Sequence, residues 1–490
     1  MSNVRRIARN TAVLLISNIA SFVTGFFFTM YVARYLGAQG YGILSFALAF
    51  TAIFGVLTDI GLQTLMIREI ARDKALAQKY LGNIAALKIL LCIVTFGLIA
   101  LTINLMDYPW ETIKVVYLIG LSVVFSAFSS MFYGVFRAHQ RMEFEAVGQV
   151  LGSVLTLAGA LYAISHDFSV ASFAWIYFIV SLITLGYSIF ISIWKFAIPR
   201  IKFDLEFWKD ALKQAWPFAL AAVFGSLYYC IDSIMLSTMK GDAAVGWYNA
   251  AYRLISILSF VPTAYFGAVF PITSTFHITS KEFLRFTHEK SFKYLLILGV
   301  PIGVGTTILA NKIIMLIFGM EYYPSIIVLQ ILAWWMAVIF VTSVFGNLLQ
   351  SANRQIMVAW VLAIGAILKV LLNLILIPGR SYTGASIATL ATGFIVLALL
   401  FIWSSRIGYG IPIRNLIRIF IRISIASAAM CLFIIYLKSF YILALIPLSA
   451  LLYFTVLYII GGIEKDDVLL LRSVFVMQKA INPDENKDKS

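Results

Sequence analysis

The sequence predicts an all-α polytopic membrane protein with about fourteen transmembrane helices: two parallel six-helix lobes around a central cleft plus two extra C-terminal helices. Of its 490 residues, 62% are hydrophobic and 12% are charged, a composition far outside the range of soluble domains. The apolar residues form long stretches, and a helix needs roughly 20 such residues to cross a bilayer. Basic residues concentrate in alternate gaps between these stretches, as expected when successive helices cross in opposite directions.

The predicted spans leave only short turns between them. In order, they cover residues 11–33, 41–65, 82–106, 114–136, 147–165, 170–194, 215–239, 246–273, 292–309, 325–349, 356–377, 383–405, 416–437 and 441–462. Spans 1–6 form an N-lobe (1–195) and spans 7–12 a C-lobe (214–406), joined by a basic cytoplasmic linker (196–213). An extra helix pair (407–462) precedes a cytoplasmic tail (463–490) whose charged composition predicts disorder.

The distribution of lysine and arginine predicts the orientation of the chain. One side of this topology carries 28 of the 37 basic residues, and the other side carries six. Since basic turns stay in the cytoplasm, we expect both termini there, in a plasma or inner cell membrane. The net charge of +15 therefore needs no nucleic-acid partner, because topology and anionic lipids account for it. The remaining three of the 37 basic residues lie inside spans: Lys88, Arg253 and Lys369.

An internal repeat indicates how the spans are arranged. Gly37 and Gly42 bracket the first outer turn, in YLGAQGYG, and Gly241 and Gly246 bracket another, in MKGDAAVG, 204 positions later. Two further matches recur 214 positions apart: FYGVFRAHQR with GNLLQSANRQ, and ASFA with ASIA. Because each unit holds six spans, an even number, the units are parallel and related by an axis along the membrane normal.

Paired lobes of this kind favour a transporter that rocks about a central site. A purely structural scaffold is the alternative interpretation. Pro262 and Pro271 in span 8 and Pro301 in span 9 mark places where helices could bend, as ordinary kinks or as moving parts.

No metal site or cofactor is predicted. Cys92, Cys230 and Cys431 lie in apolar stretches without the close spacing of a metal site or a disulfide. The chain also lacks the G-x-x-x-x-G-K-[ST] loop that binds nucleotide phosphates.

Four segments carry a family resemblance: YVARYLGAQGYGILSFALAF, LTDIGLQTLMIREIAR, PFALAAVFGSLYYCIDSIMLSTMKGDAAVGWYNAAYRL and LNLILIPGRSYTGASIATLAT. Over roughly residues 10–406 the chain resembles the polysaccharide-type, Wzx-like flippases of the multidrug/oligosaccharidyl-lipid/polysaccharide (MOP) exporter superfamily. The resemblance implies that polyprenyl-(pyro)phosphate-linked oligosaccharides are flipped from the cytoplasmic to the outer leaflet by alternating access, without nucleotide hydrolysis. Such transport serves the biosynthesis of cell-surface polysaccharides or glycoconjugates.

Two other functions remain open. A MATE-like drug or metabolite antiporter, coupled to Na⁺ or H⁺, belongs to the same superfamily. A membrane glycosyltransferase or polymerase is the enzymatic alternative, and the absence of a D-x-D cluster and of a long outer loop argues against an enzyme.

Cations inside or beside the spans are the candidates for binding a lipid diphosphate, because buried charges are expensive and need a reason. Lys369 lies near the midplane of span 11 with no obvious acidic partner, so we expect it to face a hydrated cleft. Arg253 lies about seven residues into span 8, at a depth similar to that of Asp232 on span 7, and either pairs with it or binds phosphate. Arg34 ends span 1 and serves either as an interfacial anchor or as a phosphate contact on exit.

Asp232, Asp59 and Lys88 are candidates for gating or ion coupling. Asp59 and Lys88 lie on spans 2 and 3 nearer the cytoplasm, and the favoured interpretation is a structural ion pair. Either coupling to a gradient of H⁺ or Na⁺ or consumption of the product downstream is expected to give transport its direction.

Polar side chains in the spans are candidates for contacts to sugar hydroxyls. Asn18, Asn249 and Tyr228 are the principal ones, by hydrogen bonding and stacking. Relatives that flip a lipid-linked cell-wall precursor carry arginines deep in their first helix, where this chain has Asn18, so the same phosphate-binding scheme does not transfer directly.

The extra helix pair forms a groove for the lipid tail in some fourteen-helix relatives, and the resemblance implies the same here. Arg414, Arg418 and Arg422 lie on one face of span 13, either to bind anionic headgroups or as a solvated basic face. The expected partners are a polyprenyl-linked oligosaccharide, membrane lipids, and polysaccharide polymerase or glycosyltransferase machinery.

Overall fold

The computed structural model describes residues 3–196, 198 and 201–463, and every regular element in those residues is helical. The N-lobe contains α1 (Asn3–Gly55), α2 (Leu62–Arg72), α3 (Ala77–Leu105), α4 (Trp110–Ala138), α5 (Met142–Ser165) and α6 (Val170–Lys195). The C-lobe contains α7 (Leu205–Lys240), α8 (Asp242–Ile257), α9 (Phe260–Thr279), α10 (Lys281–Ile317), α11 (Ser325–Ser351) and α12 (Gln355–Ser404). The extra pair is α13 (Ile413–Tyr436) and α14 (Ile442–Ile459). The predicted tail lies outside the described residues, apart from Ile463.

The helices account for all of the predicted spans. Eleven segments of the described chain are long and apolar enough to cross a membrane. Two of them, Ala12–Thr58 and Gln355–Tyr409, each hold two predicted spans, and predicted span 8 is divided between α8 and α9. The prediction of an all-α polytopic membrane protein is therefore confirmed.

Helices therefore end alternately at two faces. The face that carries the turns near residues 73, 139, 280 and 353 is called the basic face, because most of the basic residues lie there. The face with the turns near residues 37, 107, 241 and 319 is called the opposite face.

Sharp backbone breaks replace loops at two turns of the opposite face. In α1, Gly37 adopts φ 66° and ψ −179°, which reverses the chain between spans 1 and 2. Its counterpart in the repeat, Gly241, has φ 84° and ψ 175° between α7 and α8. This left-handed φ is accessible to glycine at little cost, so the repeat seen in the sequence is also a repeat of backbone conformation.

Two predicted boundaries differ from the structure. Span 2 was expected to reach residue 65, but the helix ends at Gly55, and a 3₁₀ turn leads into the separate amphipathic helix α2. The basic linker was expected to extend to residue 213, but α7 already begins at Leu205, where the Asp204 carboxylate accepts a hydrogen bond from the Phe207 N–H at 3.0 Å. Capping of this kind starts a helix early even in a charged segment.

Proline accounts for the division of span 8. The chain leaves the helix at Leu258 and Ser259 and resumes it at Phe260. A proline ring clashes with the carbonyl four residues earlier, and four residues before Pro262 is Leu258. The bend expected at Pro262 is therefore observed.

The two lobes touch backbone to backbone at the opposite face. A Cβ atom on Gly42 would lie 1.8 Å from the carbonyl oxygen of Asp242, and one on Gly246 would lie 1.9 Å from that of Ala38. Ala38 and Gly42 stand 204 positions before Asp242 and Gly246, so the two contacts are equivalent under the repeat. Only glycine permits an approach this close, which holds α1 against α8 about a pseudo-twofold axis.

The extra helix pair packs on the C-lobe through α10. A cluster of buried side chains joins Ile297 and Val300 on α10 to Ile423 and Met430 on α13. The Tyr453 hydroxyl on α14 donates a hydrogen bond to the Ile297 carbonyl at 2.9 Å. Large apolar side chains remain exposed around the helices, as expected for surfaces that face lipid.

The glycine contact predicts that two glycine-to-alanine substitutions destabilise the protein, whereas such substitutions in helices usually stabilise it. Alanine in place of an unhindered helical glycine raises stability by about 0.5–1 kcal/mol. We expect Gly42→Ala and Gly246→Ala instead to lower the unfolding temperature of the purified protein, because the new methyl group meets backbone atoms.

Gly97→Ala is the matched control, since nothing lies within 4 Å of a Cβ at that position on α3. It should leave the unfolding temperature unchanged or raise it. An unchanged or raised temperature for Gly42→Ala would contradict the close contact between the lobes.

Candidate functional site

Two tyrosines, related by the repeat, join the lobes at the opposite face. Tyr108, between α3 and α4, donates a hydrogen bond to the Ser237 hydroxyl of α7 at 2.8 Å. Tyr322, between α10 and α11, donates one to the Ala33 carbonyl of α1 at 2.9 Å. Burial raises the pKa of Tyr108, and the hydrogen bond to Ser237 offsets part of that rise. These bonds and the glycine contact form what we call the interlobe seal.

Arg34 belongs to this interlobe seal. Its Nε donates to the Ile317 carbonyl at 2.7 Å, and its Nη2 donates to the Leu316 carbonyl. These carbonyls end α10, where a helix carries partial negative charge, so the cation acts as a cap between the lobes. Glu321 completes the junction by accepting the Ala38 N–H at 2.6 Å. Arg34 thus joins the two lobes, and its roles as an interfacial anchor or as a phosphate contact on exit stay predictions.

A cavity of about 770 Å³ lies among the C-lobe helices. It follows α11 from Trp335, near the middle of that helix, to Gln350 at its basic-face end. Tyr228, Tyr229 and Tyr252 line its deep end. The rings of Tyr252 and Trp335 stack with centroids 5.4 Å apart, and Trp335 is buried. We call this space the C-lobe chamber.

Lys369 does not face a hydrated cleft, contrary to the prediction from the sequence. Its ammonium lies 2.6 Å from Asp232 Oδ2, and the two side chains are 0% and 1% exposed. It also donates to the Tyr228 carbonyl at 2.7 Å and lies 4.7 Å from the centroid of the Tyr228 ring. A fully buried lysine with this many partners is not available to bind a substrate phosphate directly.

Asp232 is equally well satisfied. Its two carboxylate oxygens accept hydrogen bonds from Asn373 at 2.8 Å, Tyr248 at 2.8 Å and Thr389 at 3.0 Å. A buried ion pair is tolerated only when further hydrogen bonds satisfy its charges, and this network supplies them from α7, α8 and α12. The pair therefore locks three helices of the C-lobe together beside the chamber.

Arg253 does not pair with Asp232, which corrects the favoured interpretation of that pair. Tyr248 on α8 points at Asp232, and Arg253 follows five residues later, rotated by about 140° around the helix. Similar depth in the membrane is therefore no guide to contact. Arg253 is exposed, and it interacts electrostatically with the hydroxyls of Tyr41 and Tyr177 in the N-lobe. In the described part of the chain it forms no ion pair.

Asp59 and Lys88 form the predicted ion pair. Lys88 Nζ lies 2.9 Å from Asp59 Oδ1 and also donates to the Ala127 carbonyl at 2.9 Å. Lys88 is buried, whereas 32% of the Asp59 side chain is exposed. The pair joins the end of span 2 to α3 and α4 within the N-lobe.

The remaining candidates lie in different environments. Tyr228 lines the C-lobe chamber, and its contact with a sugar stays a prediction. Asn249 is half-buried and donates to the Ser233 hydroxyl at 2.9 Å and to the Val245 carbonyl at 3.0 Å, so its amide protons are used within the C-lobe. Asn18 is half-buried on α1 and does not line the chamber.

The sequence reasoning overlooked most of the chamber wall. Trp335, Tyr252, Asn347 and Gln350 line it, and none was a candidate. The available signal was the spacing along α11, where Trp335, Ile339, Ser343 and Gln350 recur at helical intervals on one face. In a chain so rich in aromatic residues, that pattern does not distinguish a cavity wall from lipid-facing packing.

The described residues show no site for a metal ion, because no group of three or more His, Cys, Asp or Glu side chains converges there. Cys92, Cys230 and Cys431 are free, and Cys92 is buried.

Comparison with protein families matches residues 7–277 to the family described as "Polysaccharide biosynthesis protein". The "Probable low-salt glycan biosynthesis flippase Agl15" of Haloferax volcanii is 21% identical over 392 residues, covering 78% of this chain and 80% of the relative.

Two solved structures share the fold. One, titled "Lipid II flippase MurJ, inward closed conformation", has a TM-score of 0.75 at 17% identity and covers 93% of this chain and all of the other. The other is an inward-facing MATE family multidrug resistance transporter of the MOP superfamily. It has a TM-score of 0.65 at 15% identity and covers 79% of this chain and 94% of that one.

The buried pair predicts a characteristic pattern of mutant stabilities. Lys369→Met or Asp232→Asn alone leaves one buried charge without its partner, and we expect each to lower the free energy of unfolding by about 3–5 kcal/mol. The double variant, Asp232→Asn with Lys369→Met, removes both charges. Its loss in free energy of unfolding should be smaller than the sum of the losses in the two single variants.

Thermal unfolding of the purified variants measures this order. Lys114→Met is the control, because Lys114 is an exposed cation near the opposite face and should unfold like the unmodified protein. Additive losses in the double variant would rule out the coupling between Asp232 and Lys369.

Proposed function

The chain belongs to the polysaccharide biosynthesis protein family, and from this membership we propose that it flips polyprenyl-(pyro)phosphate-linked oligosaccharides from the cytoplasmic to the outer leaflet. Transport proceeds by alternating access and supplies the biosynthesis of cell-surface polysaccharides or glycoconjugates. The observation that carries the proposal is Arg253, an exposed cation without an acidic partner in the described chain, between two lobes that are sealed at one face.

Arg253 is the group that binds the lipid phosphate. It lies seven residues after Gly246, about 10 Å below the glycine contact at 1.5 Å per residue. Guanidinium binds phosphate oxygens with paired hydrogen bonds, and a site partly shielded from water strengthens that attraction. Tyr41 and Tyr177 of the N-lobe, which interact electrostatically with Arg253, supply neutral hydroxyls on that side.

The C-lobe chamber accommodates part of the glycan. Its volume of about 770 Å³ lies within the range of small-molecule sites, about 300–1,000 Å³. Aromatic rings present flat apolar surfaces to sugar rings, while the amides of Asn347 and Gln350 offer hydrogen bonds to hydroxyls. The polyprenyl tail stays in lipid, and the extra helix pair on α10 provides a surface for it.

An ion gradient is the proposed energy source, and the Asp232–Lys369 pair is the proposed place where it acts. Protonation of Asp232 would neutralise the acceptor of four contacts and leave Lys369 without its counter-ion. Such a change would loosen α7, α8 and α12 together beside the chamber. The proposal also covers Na⁺ as the coupling ion in place of H⁺. It includes an additional coupling or gating role for Asp59 and Lys88.

Orientation and partners follow from the function. We place the basic face and both termini in the cytoplasm of a plasma or inner membrane, since a substrate made in the cytoplasm must enter from there. The machinery that supplies or consumes the lipid-linked glycan, a glycosyltransferase or a polymerase, is the expected partner. We expect no catalytic activity from the chain itself.

A MATE-like antiporter is the alternative function. The exposed group between the lobes is a cation, which favours an anionic substrate over a cationic drug.

The experiment that tests the proposal measures the sidedness of lipid-linked oligosaccharides in cells depleted of this protein, with a membrane-impermeant glycan-cleaving probe. We expect the lipid-linked glycan to accumulate in the cytoplasmic leaflet and re-expression to relieve it. Arg253→Gln should fail to relieve it at normal protein levels, because the phosphate contact is lost. Lys114→Gln, which removes an exposed cation away from this position, should restore transport fully.

Unchanged sidedness after depletion would exclude the flippase function, and drug uptake under Na⁺ or H⁺ gradients would then test the antiporter. Full activity of Arg253→Gln would remove only that residue from the phosphate site.

A further inference from the structure

A second cavity of about 290 Å³ lies inside the N-lobe, among α4, α5 and α6. Six serines, two threonines, two tyrosines and one glutamine line it, with two glycines and one valine, and it contains no charged side chain. Small residues in membrane helices ordinarily serve close packing. Packing does not explain this site, because the helices leave the space between these side chains open.

Most hydroxyl groups of this N-lobe pocket donate their protons to the backbone of their own helix. Six of its eight serine and threonine hydroxyls donate their protons to a carbonyl one turn earlier in the same helix. They are Ser122, Ser129, Ser153, Thr156, Ser181 and Thr184. A hydroxyl that has used its only proton retains oxygen lone pairs. The pocket therefore presents mainly hydrogen-bond acceptors.

Glycines shape the wall of the pocket. The Tyr133 hydroxyl rests against Gly148, where a Cβ would lie 2.3 Å from it. Tyr177, which also lines the pocket, is one of the two tyrosines that interact electrostatically with Arg253.

We propose that the N-lobe pocket binds a neutral sugar of the lipid-linked glycan through donor hydroxyls of that sugar, and selects against acidic sugars. This inference rests on the proposed function. Neutral sugars carry many hydroxyl donors that match a wall of acceptors. A carboxylate on the sugar has no proton to donate, finds no cation in the pocket, and would have to lose water to enter.

Three short-chain analogues test the proposal on the purified full-length protein: farnesyl diphosphate alone, farnesyl diphosphate bearing a neutral N-acetylglucosamine disaccharide, and the same lipid bearing N-acetylglucosamine–glucuronic acid. We expect the unmodified protein to bind the neutral glycolipid more tightly than the other two. The combined variant Ser126→Ala, Ser153→Ala, Thr156→Val should weaken binding of the neutral glycolipid about tenfold. Binding of bare farnesyl diphosphate should change by less than about twofold, since no phosphate contact is altered.

The control combines Ser165→Ala, Thr287→Val and Thr455→Val, which remove hydroxyls with the same bond to their own helix, outside the pocket. It should bind all three analogues like the unmodified protein. Ser126→Leu, at an exposed hydroxyl of the pocket wall, gives an independent variant that fills the space and should have the same selective effect.

A neutral-glycolipid preference that survives both pocket variants would overturn the inference and leave the flippase proposal intact. If the unmodified protein binds none of the diphosphate analogues, the proposed function fails, and this inference fails with it.

Discussion

The contact between Gly42 and Gly246 is the constraint on which the rest of the arrangement depends. Each glycine receives a backbone carbonyl of the other lobe, so α1 and α8 approach more closely than any side chain would allow. The approach brings Tyr108 within reach of Ser237 and Tyr322 within reach of Ala33, and it places Arg34 on the end of α10. The lobes are thus closed at the opposite face, and the C-lobe chamber extends toward the basic face, along α11 to Gln350.

The three intramembrane cations are of two kinds, because a buried charge needs a partner and an exposed charge does not. Lys88 and Lys369 are buried, and each has a carboxylate within 2.9 Å together with a backbone carbonyl. They stabilise the interior of their own lobes. Arg253 is exposed, interacts electrostatically with Tyr41 and Tyr177 of the N-lobe, and forms no ion pair within the described residues. The cation that the fold does not use internally is the one available to an anionic ligand.

Much of the fold could be predicted because it follows from one-dimensional patterns. The lengths of the apolar stretches predicted the spans, and the positions of the basic turns predicted the direction of each span. The spacing of Gly37 and Gly241 indicated the repeat, and both residues have similar backbone angles in the structure. The site was harder, because depth along a helix is readable from sequence but direction around it is not. Asp232 and Arg253 share a depth and face different ways, whereas Lys369 reaches Asp232 from a helix four spans further along the predicted order. The N-lobe pocket escaped notice because a serine that faces a cavity and one that packs a helix look alike in sequence.

The Asp232–Lys369 pair also has a consequence for how the protein is made. The two residues lie 137 positions apart (369 less 232), so α7 is synthesised long before α12. At about 5–20 residues per second, the nascent chain spends roughly 7–27 seconds with the aspartate made and its lysine still missing. During that interval the carboxyl group must be protonated, bound by Tyr248, or held in contact with water at the insertion machinery. The C-lobe can therefore complete its interior only after synthesis has passed Lys369, about three quarters of the way along the 490 residues.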